Sequence, residues 1–138
     1  MPRVCRVLIV EDHPGVRELL GDLLAYSGYD FVLATTAGEM RDALRTNKID
    51  VVVIDLFVPG GEDGIALAKE AADADIGVIL TTAYPDHFER IEKSGHNYLL
   101  KPFHATSFFE LVQQTLRETK ARCKARRKTD RETSYHAP

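Results

Sequence analysis

The sequence of 138 residues contains no tryptophan, only two cysteines and no long apolar run. Cys5 and Cys123 lie too far apart for a metal-ligand spacing, so we expect two free thiols in a reducing compartment. An exposed Cys123 on a terminal helix would still permit an intermolecular disulfide on oxidation. No apolar run approaches the ~20 residues that span a bilayer, and acidic residues directly follow the first run, unlike in a secretory signal. We therefore expect a cytoplasmic globular protein that does not enter the membrane.

Charge is divided unevenly along the chain. Residues 1–116 carry a net charge of −8 and residues 117–138 carry +5, and an acidic body disfavours nucleic acid as the main partner. The basic segment KARCKARRKTDR (120–131) has three interpretations: a solvated extension of the last helix, a surface for dimerisation or partner docking, or a nucleic-acid contact, which is the least favoured. The polar residues from Lys128 to Pro138 show no pattern and predict a disordered tail.

Five short apolar runs alternate with five helical patterns. The runs are Val4–Val10, Tyr29–Ala34, Val51–Asp55, Val78–Thr82 and Tyr98–Leu100. The helical patterns lie between Pro14 and Gly28, at Glu39–Thr46, Ile65–Ala72 and His87–Lys93, and around a final apolar face that runs from Phe108 to Leu116. Strict alternation predicts an α/β fold with a doubly wound, five-stranded parallel sheet.

Polar side chains stand at the ends of four of these strands. Glu11 and Asp12 follow the first strand, Asp55 ends the third, Thr82 ends the fourth, and Lys101 comes just after the fifth. Ligands of open α/β sheets bind outside the carboxyl ends of the strands. We therefore expect these five side chains at one rim of the sheet.

The chemistry of this rim suits phosphoryl transfer. Three carboxylates brought together repel one another, so that either the pKa of one of them rises or a cation binds, and oxygen ligands without histidine or cysteine suit Mg²⁺. Phosphoryl transfer needs in-line positioning and charge stabilisation. Asp55 would be the nucleophile that forms an acyl phosphate, while Lys101 and Thr82 would hold phosphoryl oxygens.

Four segments carry a resemblance to a known family: VLIVEDHP (7–14), VVVIDLFVPG (51–60), GVILTTAYPD (77–86) and NYLLKPF (97–103). Over roughly residues 4–120 the chain resembles the receiver domains of bacterial two-component response regulators. The resemblance implies a flavodoxin-like sheet with strand order 2-1-3-4-5, in a signalling phosphoacceptor rather than an enzyme. It divides the chain into a receiver domain, residues 4–120, and a basic helix extension with a disordered tail, residues 121–138.

The resemblance also implies a role for each rim residue. Asp55 would accept a phosphoryl group from a histidine kinase or a phosphotransfer protein. Asp12 and Asp55 would bind Mg²⁺ directly, Glu11 would bind it directly or through water, and the backbone carbonyl of Phe57 would complete the protein ligands.

Further roles concern the phosphoryl group and its readout. Thr82 and Lys101 would bind the phosphoryl group, and the Lys101–Pro102 peptide bond would be cis. Tyr98 matches a switch aromatic that turns inward when Thr82 is drawn to the phosphate. Because no sequence beyond Leu116 could form a second core, we expect a stand-alone receiver, with a possible homodimer through the last helix and strand.

Two aromatic residues near the site suggest how the acyl phosphate is protected. Phe57 lies two residues after Asp55, and Tyr84 lies two residues after Thr82; together with Ala83 they occupy modulating positions in the family. We hypothesise that the two rings shield the acyl phosphate from water. The alternative is that both rings only pack on the rim.

The sequence departs from the family pattern in three places. The acid pair is Glu-Asp rather than Asp-Asp. The loop PGGEDG is one residue longer than usual, and Gly60–Gly61 is expected to absorb the insertion as a turn. His104 stands where a capping aspartate is frequent, so we expect Ser107 and Glu110 to form a capping box and to start the last helix a turn later. The remaining histidines, His13, His87, His96 and His136, show no catalytic or metal-binding constellation.

Other protein classes with this fold or nucleophile lack their signatures here. A flavodoxin would need a phosphate loop rich in Ser, Thr and Gly after the first strand, where Glu11 and Asp12 would repel a phosphate. A haloacid-dehalogenase-type phosphatase would need aspartate at position 57, and no P-loop sequence occurs. The remaining alternative is a receiver-like binding scaffold that works without phosphorylation. The full acidic set together with Thr82 and Lys101 argues against it.

Overall fold

The computed structural model describes residues 4–60 and 62–135, with side chains up to residue 131. It contains one sheet of five parallel strands in the order β2-β1-β3-β4-β5. The strands are β1 (Arg6–Val10), β2 (Asp30–Ala34), β3 (Val51–Asp55), β4 (Gly77–Thr82) and β5 (Asn97–Leu100). The helices are α1 (Pro14–Tyr26), α2 (Ala37–Thr46), α3 (Gly64–Asp73), α4 (Phe88–Ser94) and α5 (Ala105–Tyr135). The predicted doubly wound, flavodoxin-like fold is confirmed.

Each face of the sheet has its own apolar core. Alternate residues of the central strands point to opposite faces, so Leu8 and Ile54 pack with Leu67 of α3, whereas Ile9 and Val53 pack on the other side. The second core is completed by side chains of α1 and α5, including Leu20, Leu24, Phe108 and Val112. Because both faces are covered, β1, β3 and β4 are apolar nearly throughout, as parallel strands require.

The starts of the helices follow local capping. The His13 imidazole accepts a hydrogen bond from the Val16 amide at 3.2 Å, and Pro14 stands in the first turn of α1. Asp63 caps α3 in the same way through the amide of Ile65. A 3₁₀ turn, Pro85–His87, precedes α4, which therefore begins at Phe88 and not at His87 as predicted.

The last helix differs from the sequence expectation at both ends. α5 begins at Ala105, with its first backbone bond from the Phe108 amide to the His104 carbonyl, so the predicted later start at Ser107 is wrong. It continues as helix to Tyr135, past Lys128, where we expected disorder, because residues 120–131 are rich in Arg, Lys and Ala and no Gly or Pro follows before Tyr135. Residues 136–138, including His136, lie outside the described residues. No described helix has the length and apolarity to cross a membrane.

An ion pair holds the first turns of this extension to the body. Asp75, with a left-handed φ of 65°, accepts two hydrogen bonds from the Arg126 guanidinium, one of them 2.6 Å from Nη2 to Oδ2. The hydrogen bond from Arg126 lowers the pKa of Asp75. A carboxylate with a lowered pKa stabilises the structure above its ordinary pKa, and this contribution is lost as the pH falls through the lowered value.

We expect Asp75→Asn to loosen the extension without unfolding the body. Asparagine tolerates the left-handed backbone but removes the charge that holds Arg126. At neutral pH, amide hydrogen exchange after Thr119 should be faster in the variant than in the wild type. When the two proteins are compared at the same pH, this difference should disappear as the pH falls below about 4. Unchanged exchange in Asp75→Asn would show that the extension is held by other contacts.

Candidate functional site

The structure brings three carboxylates together at the carboxyl ends of β1 and β3. Oxygen atoms of Glu11, Asp12 and Asp55 lie within 4.8 Å of one another. Glu11 is 3% exposed, Asp55 is half-buried and Asp12 is exposed. The predicted meeting of these three residues at one rim is therefore observed, and the set of oxygen donors fits Mg²⁺.

Lys101 bridges two of these carboxylates. Its Nζ lies 2.8 Å from Glu11 Oε2 and 2.8 Å from Asp55 Oδ2, and its side chain is 18% exposed. The Lys101 amide donates to the carbonyl of Thr82 at 2.8 Å, which fixes the residue beside the end of β4. The Lys101–Pro102 peptide bond is cis, as expected.

Burial and pairing act against each other on the charges of this cluster. Burial raises the pKa of Glu11, and the neighbouring Asp55 raises it further, while the ammonium of Lys101 opposes both. Burial alone would lower the pKa of Lys101, but its hydrogen bonds to Asp55 and Glu11 raise it overall. The cluster thus keeps Lys101 charged while leaving Glu11 less acidic than a solvated carboxyl group.

The backbone fixes the carboxylates from the other side. The Phe57 amide donates to Asp55 Oδ1 at 3.0 Å, and the His13 amide donates to Glu11 Oε1 at 3.3 Å. Arg17 of α1 donates to the carbonyl of Glu11 at 3.1 Å, to that of Asp12 at 3.4 Å and to the Thr35 hydroxyl at 3.2 Å. This role of Arg17 was not predicted from the sequence. The one signal for it is its position about one helical turn after the acid pair, within reach of this backbone.

Thr82 is fully buried at the end of β4. Its Oγ1 accepts a hydrogen bond from the Tyr84 amide at 3.1 Å, which leaves the hydroxyl proton available for a second partner. Tyr98, the predicted switch residue, lies on β5 and its hydroxyl donates to Glu92 Oε1 of α4 at 3.3 Å. Its ring packs edge-on against Phe88. Tyr98 therefore contacts α4, while Thr82 stands at the rim.

Three rings lie together beside the rim. The Phe57 ring meets Tyr84 at 5.4 Å between ring centroids and His87 at 4.9 Å, both edge-on. Phe57 and Tyr84 are exposed, as is Ala83, which lies between Thr82 and Tyr84 in the sequence. His87, which the sequence left without a role, is thus a third ring of this cluster, and the sequence spacing gave no signal for it.

The loop between β3 and α3 is tied on both sides by arginines. Arg41 of α2 pairs with Glu62 and Glu70, and Arg90 of α4 pairs with Asp63 at 2.6 Å. Gly60 has a φ of +105°, which agrees with the expected turn, and its neighbour in the sequence, Gly61, lies outside the described residues. Glu62 and Asp63, the last two residues of this loop, are therefore held by ion pairs to α2 and α4.

The comparisons with known proteins agree with this geometry. The model of the response regulator receiver domain matches residues 7–113. The transcriptional regulatory protein AruR of Pseudomonas aeruginosa is 30% identical over 129 residues, covering 87% of this chain and 52% of that protein. The chain thus spans about half the length of the curated relatives it matches.

Solved structures show the same fold. The receiver domain of the Francisella response regulator 1452 is 30% identical with a TM-score of 0.72, covering 83% of this chain and 98% of the other. A CheY-like receiver protein from Methanospirillum hungatei has a TM-score of 0.77 at 22% identity, covering 87% and 99% of the two chains. The chain belongs to the response regulator receiver domain family, whose members are signalling modules and not classical enzymes.

Proposed function

We propose that this chain is a phosphoacceptor switch, in which Asp55 accepts a phosphoryl group in a Mg²⁺-dependent reaction. The observation that carries the proposal is the placement of Lys101 Nζ at 2.8 Å from both Glu11 and Asp55, with Asp12 completing the acidic cluster. A lysine in this position reduces the electrostatic repulsion among the carboxylates and lies where it can bind an oxygen of an incoming phosphoryl group.

The transfer itself requires little from the protein beyond position and charge. A carboxylate oxygen of Asp55 attacks phosphorus while the bond from phosphorus to the donor breaks, and the donor leaves with the bonding electrons. Asp12, Asp55, Glu11 and the Phe57 carbonyl are the proposed ligands of Mg²⁺, which when bound would neutralise charge on the phosphoryl oxygens. Lys101 would bind one oxygen of the transferred group.

The readout of the phosphoryl group is proposed to run through Thr82. The Thr82 hydroxyl oxygen accepts the hydrogen bond from the Tyr84 amide, so its proton remains free to be donated to a phosphoryl oxygen. A shift of Thr82 towards the phosphate would open space into which Tyr98 can turn, giving up its bond to Glu92. Phosphorylation would thereby bias an equilibrium between two arrangements of β4, β5 and α4.

The proposed setting follows from the family. Residues 4–120 would be the receiver domain and residues 121–138 a basic extension, in the cytoplasm. A histidine kinase or a phosphotransfer protein would supply the phosphoryl group, and the output would be a changed partner or changed self-association, for which the last helix and strand are the expected surface.

A receiver-like scaffold that works without phosphorylation is the alternative. Incubation with a small phosphodonor and Mg²⁺, followed by intact-mass measurement, separates the two functions. We expect one added phosphoryl group in the wild type and none in Asp55→Asn. Asp50→Asn serves as a control aspartate at the other end of β3 and should still be modified. An unmodified wild type would favour the scaffold.

The aromatic cluster yields a prediction about the lifetime of the acyl phosphate. We expect Phe57→Asn to shorten the half-life of phosphorylated Asp55 by about tenfold, because a ring that excludes water is replaced by an amide that can bind it. Decay is followed by intact mass after removal of the phosphodonor. Phe88→Asn, which changes a ring that packs on Tyr98, is the control. Equal half-lives for Phe57→Asn and wild type would mean that the ring only packs on the rim.

A further inference from the structure

A groove lies at the rim opposite to the acidic cluster. It has a volume of about 790 Å³ and is bounded by the segment before β3, the turn before β4 and the part of α5 after Leu116. Leu44, Ile49, Ile76 and Leu116 give it an apolar lining. None of these residues takes part in the proposed phosphoryl chemistry, so the groove is a separate surface.

One wall of the groove is a basic stripe. Lys120, Lys124, Arg127 and Arg131 follow one another at spacings of four, three and four residues, which places them on one face of α5, and all four line the groove. All four are exposed, and within the described part of the chain none of their side chains makes a hydrogen bond or salt bridge. The four cations are therefore available to an acidic partner.

The acidic residues that line the groove do not offset this stripe. Among the described residues, only two carboxylates, Asp50 and Asp75, line the groove beside five Lys and Arg side chains, and Asp75 is already paired with Arg126. The groove thus combines an apolar lining with a surplus of positive charge. The complementary ligand is a helix or segment that carries carboxylates beside exposed apolar side chains.

The chain itself carries such a surface on α1. Leu19 is 57% exposed and Tyr26 is 90% exposed. Glu18 and Asp22 are exposed on the same side of the helix, at positions one residue before Leu19 and one turn before Tyr26. α1 is therefore an acidic amphipathic helix whose outer apolar side chains have no cover within the described chain.

We propose that the basic groove of one copy receives the outer face of α1 from a second copy of this chain. Since each copy has both surfaces, a two-fold arrangement would bury two grooves and two α1 faces. Charge complementarity between the −8 of residues 1–116 and the +5 of residues 117–138 favours a second copy over nucleic acid, which the acidic body would repel. Like the dimer expected from the family, this one uses the last helix, but its second surface is α1 and not the last strand. It goes beyond the proposed function because it does not require phosphorylation.

A disulfide experiment tests which surfaces meet. Native Cys123 lines the groove, so the double variant Cys5→Ser/Tyr26→Cys places a second thiol on the proposed partner helix. Under mild oxidation we expect a covalent dimer on non-reducing gels that disappears with reductant. Cys5→Ser/Lys69→Cys, with an exposed thiol on α3, is the matched control and should give at least tenfold less dimer. Equal yields from the two variants would overturn the proposal.

Sedimentation velocity without added phosphodonor provides an independent readout. We expect a dimer whose dissociation constant rises at least tenfold between about 50 mM and about 0.5 M salt, since the pairing is between exposed charges. Lys124→Glu/Arg127→Glu should weaken the dimer at low salt at least as much, while Asp55 is still modified by a small phosphodonor. A monomer at every concentration and salt would refute the dimer. A dimer that is unaffected by the charge reversal but is lost in Leu100→Asp on β5 would also refute the proposal. The same holds for a monomer that binds a labelled DNA duplex.

Discussion

Lys101→Ala is expected to slow modification of Asp55 by a small phosphodonor about a hundredfold or more. The substitution removes the ammonium group that contacts both Glu11 and Asp55. Preorganised charges of this kind typically contribute two to three orders of magnitude to a rate. The rate is measured by intact mass over time at fixed phosphodonor and Mg²⁺. A rate within about threefold of wild type would remove Lys101 from the chemistry.

The same variant should also lose stability in the absence of Mg²⁺. Glu11 is buried and would lack its counter-charge, so we expect the free energy of unfolding to fall by about 1–3 kcal/mol. Because burial already raises the pKa of Glu11, loss of Lys101 should raise it further. Folding then favours the protonated carboxyl group, so the difference from wild type should shrink as the pH falls from about 7 to about 5.

Two comparisons make this stability prediction specific. Added Mg²⁺ should restore part of the loss, since it supplies positive charge to the same carboxylates. Lys93→Ala removes an exposed pair with Glu89 and should change the free energy of unfolding by less than about 1 kcal/mol. A loss in Lys101→Ala that is equal at both pH values and unaffected by Mg²⁺ would contradict the electrostatic explanation.

Gly64→Ala is expected to lower the free energy of unfolding by about 3 kcal/mol. A Cβ at this position would lie 2.7 Å from the carbonyl oxygen of Leu56 and 2.8 Å from that of Asp55, and backbone atoms cannot yield as a side chain can. The strand end that carries Asp55 would have to shift. We therefore also expect slower phosphorylation, measured beside chemical denaturation.

Gly38→Ala is the matched control for this substitution. Gly38 also lies in the first turns of a helix, but the nearest atom to its Cβ would be Thr36 Oγ1 at 3.8 Å. Stability should stay the same or rise by up to about 1 kcal/mol, as alanine favours helix. Similar losses in both variants would mean that the close approach at Gly64 is relieved by movement.

The residues of the rim were predictable because the carboxyl ends of all strands in a parallel sheet lie at the same edge. Once Val7–Val10 and Val51–Ile54 are assigned as buried strands, the polar residues that follow them must face the same edge. Glu11, Asp12 and Asp55 do lie together at this edge. The same rule placed Lys101 at this rim, but its ion pairs with Glu11 and Asp55 were not predicted.

What the sequence did not predict depends on side chains that meet across the fold. The contact of His87 with Phe57 joins residues from separate loops, and no periodicity encodes it. The Arg90–Asp63 pair is another such contact, between a helix and a loop. The continuation of α5 past Lys128 was missed for a different reason: a polar segment without an apolar face predicts disorder by pattern, although it contains no Gly or Pro that would end the helix.

The direct test of the central claim is to locate the added phosphoryl group. After reaction with a small phosphodonor and Mg²⁺, borohydride reduction of the acyl phosphate marks the modified residue, which peptide mass spectrometry then identifies. We predict a mark on Asp55 that disappears when Mg²⁺ is chelated or when Asp12 is changed to Asn. No mark in the wild type, or a mark on another residue that persists in Asp55→Asn, would contradict the account.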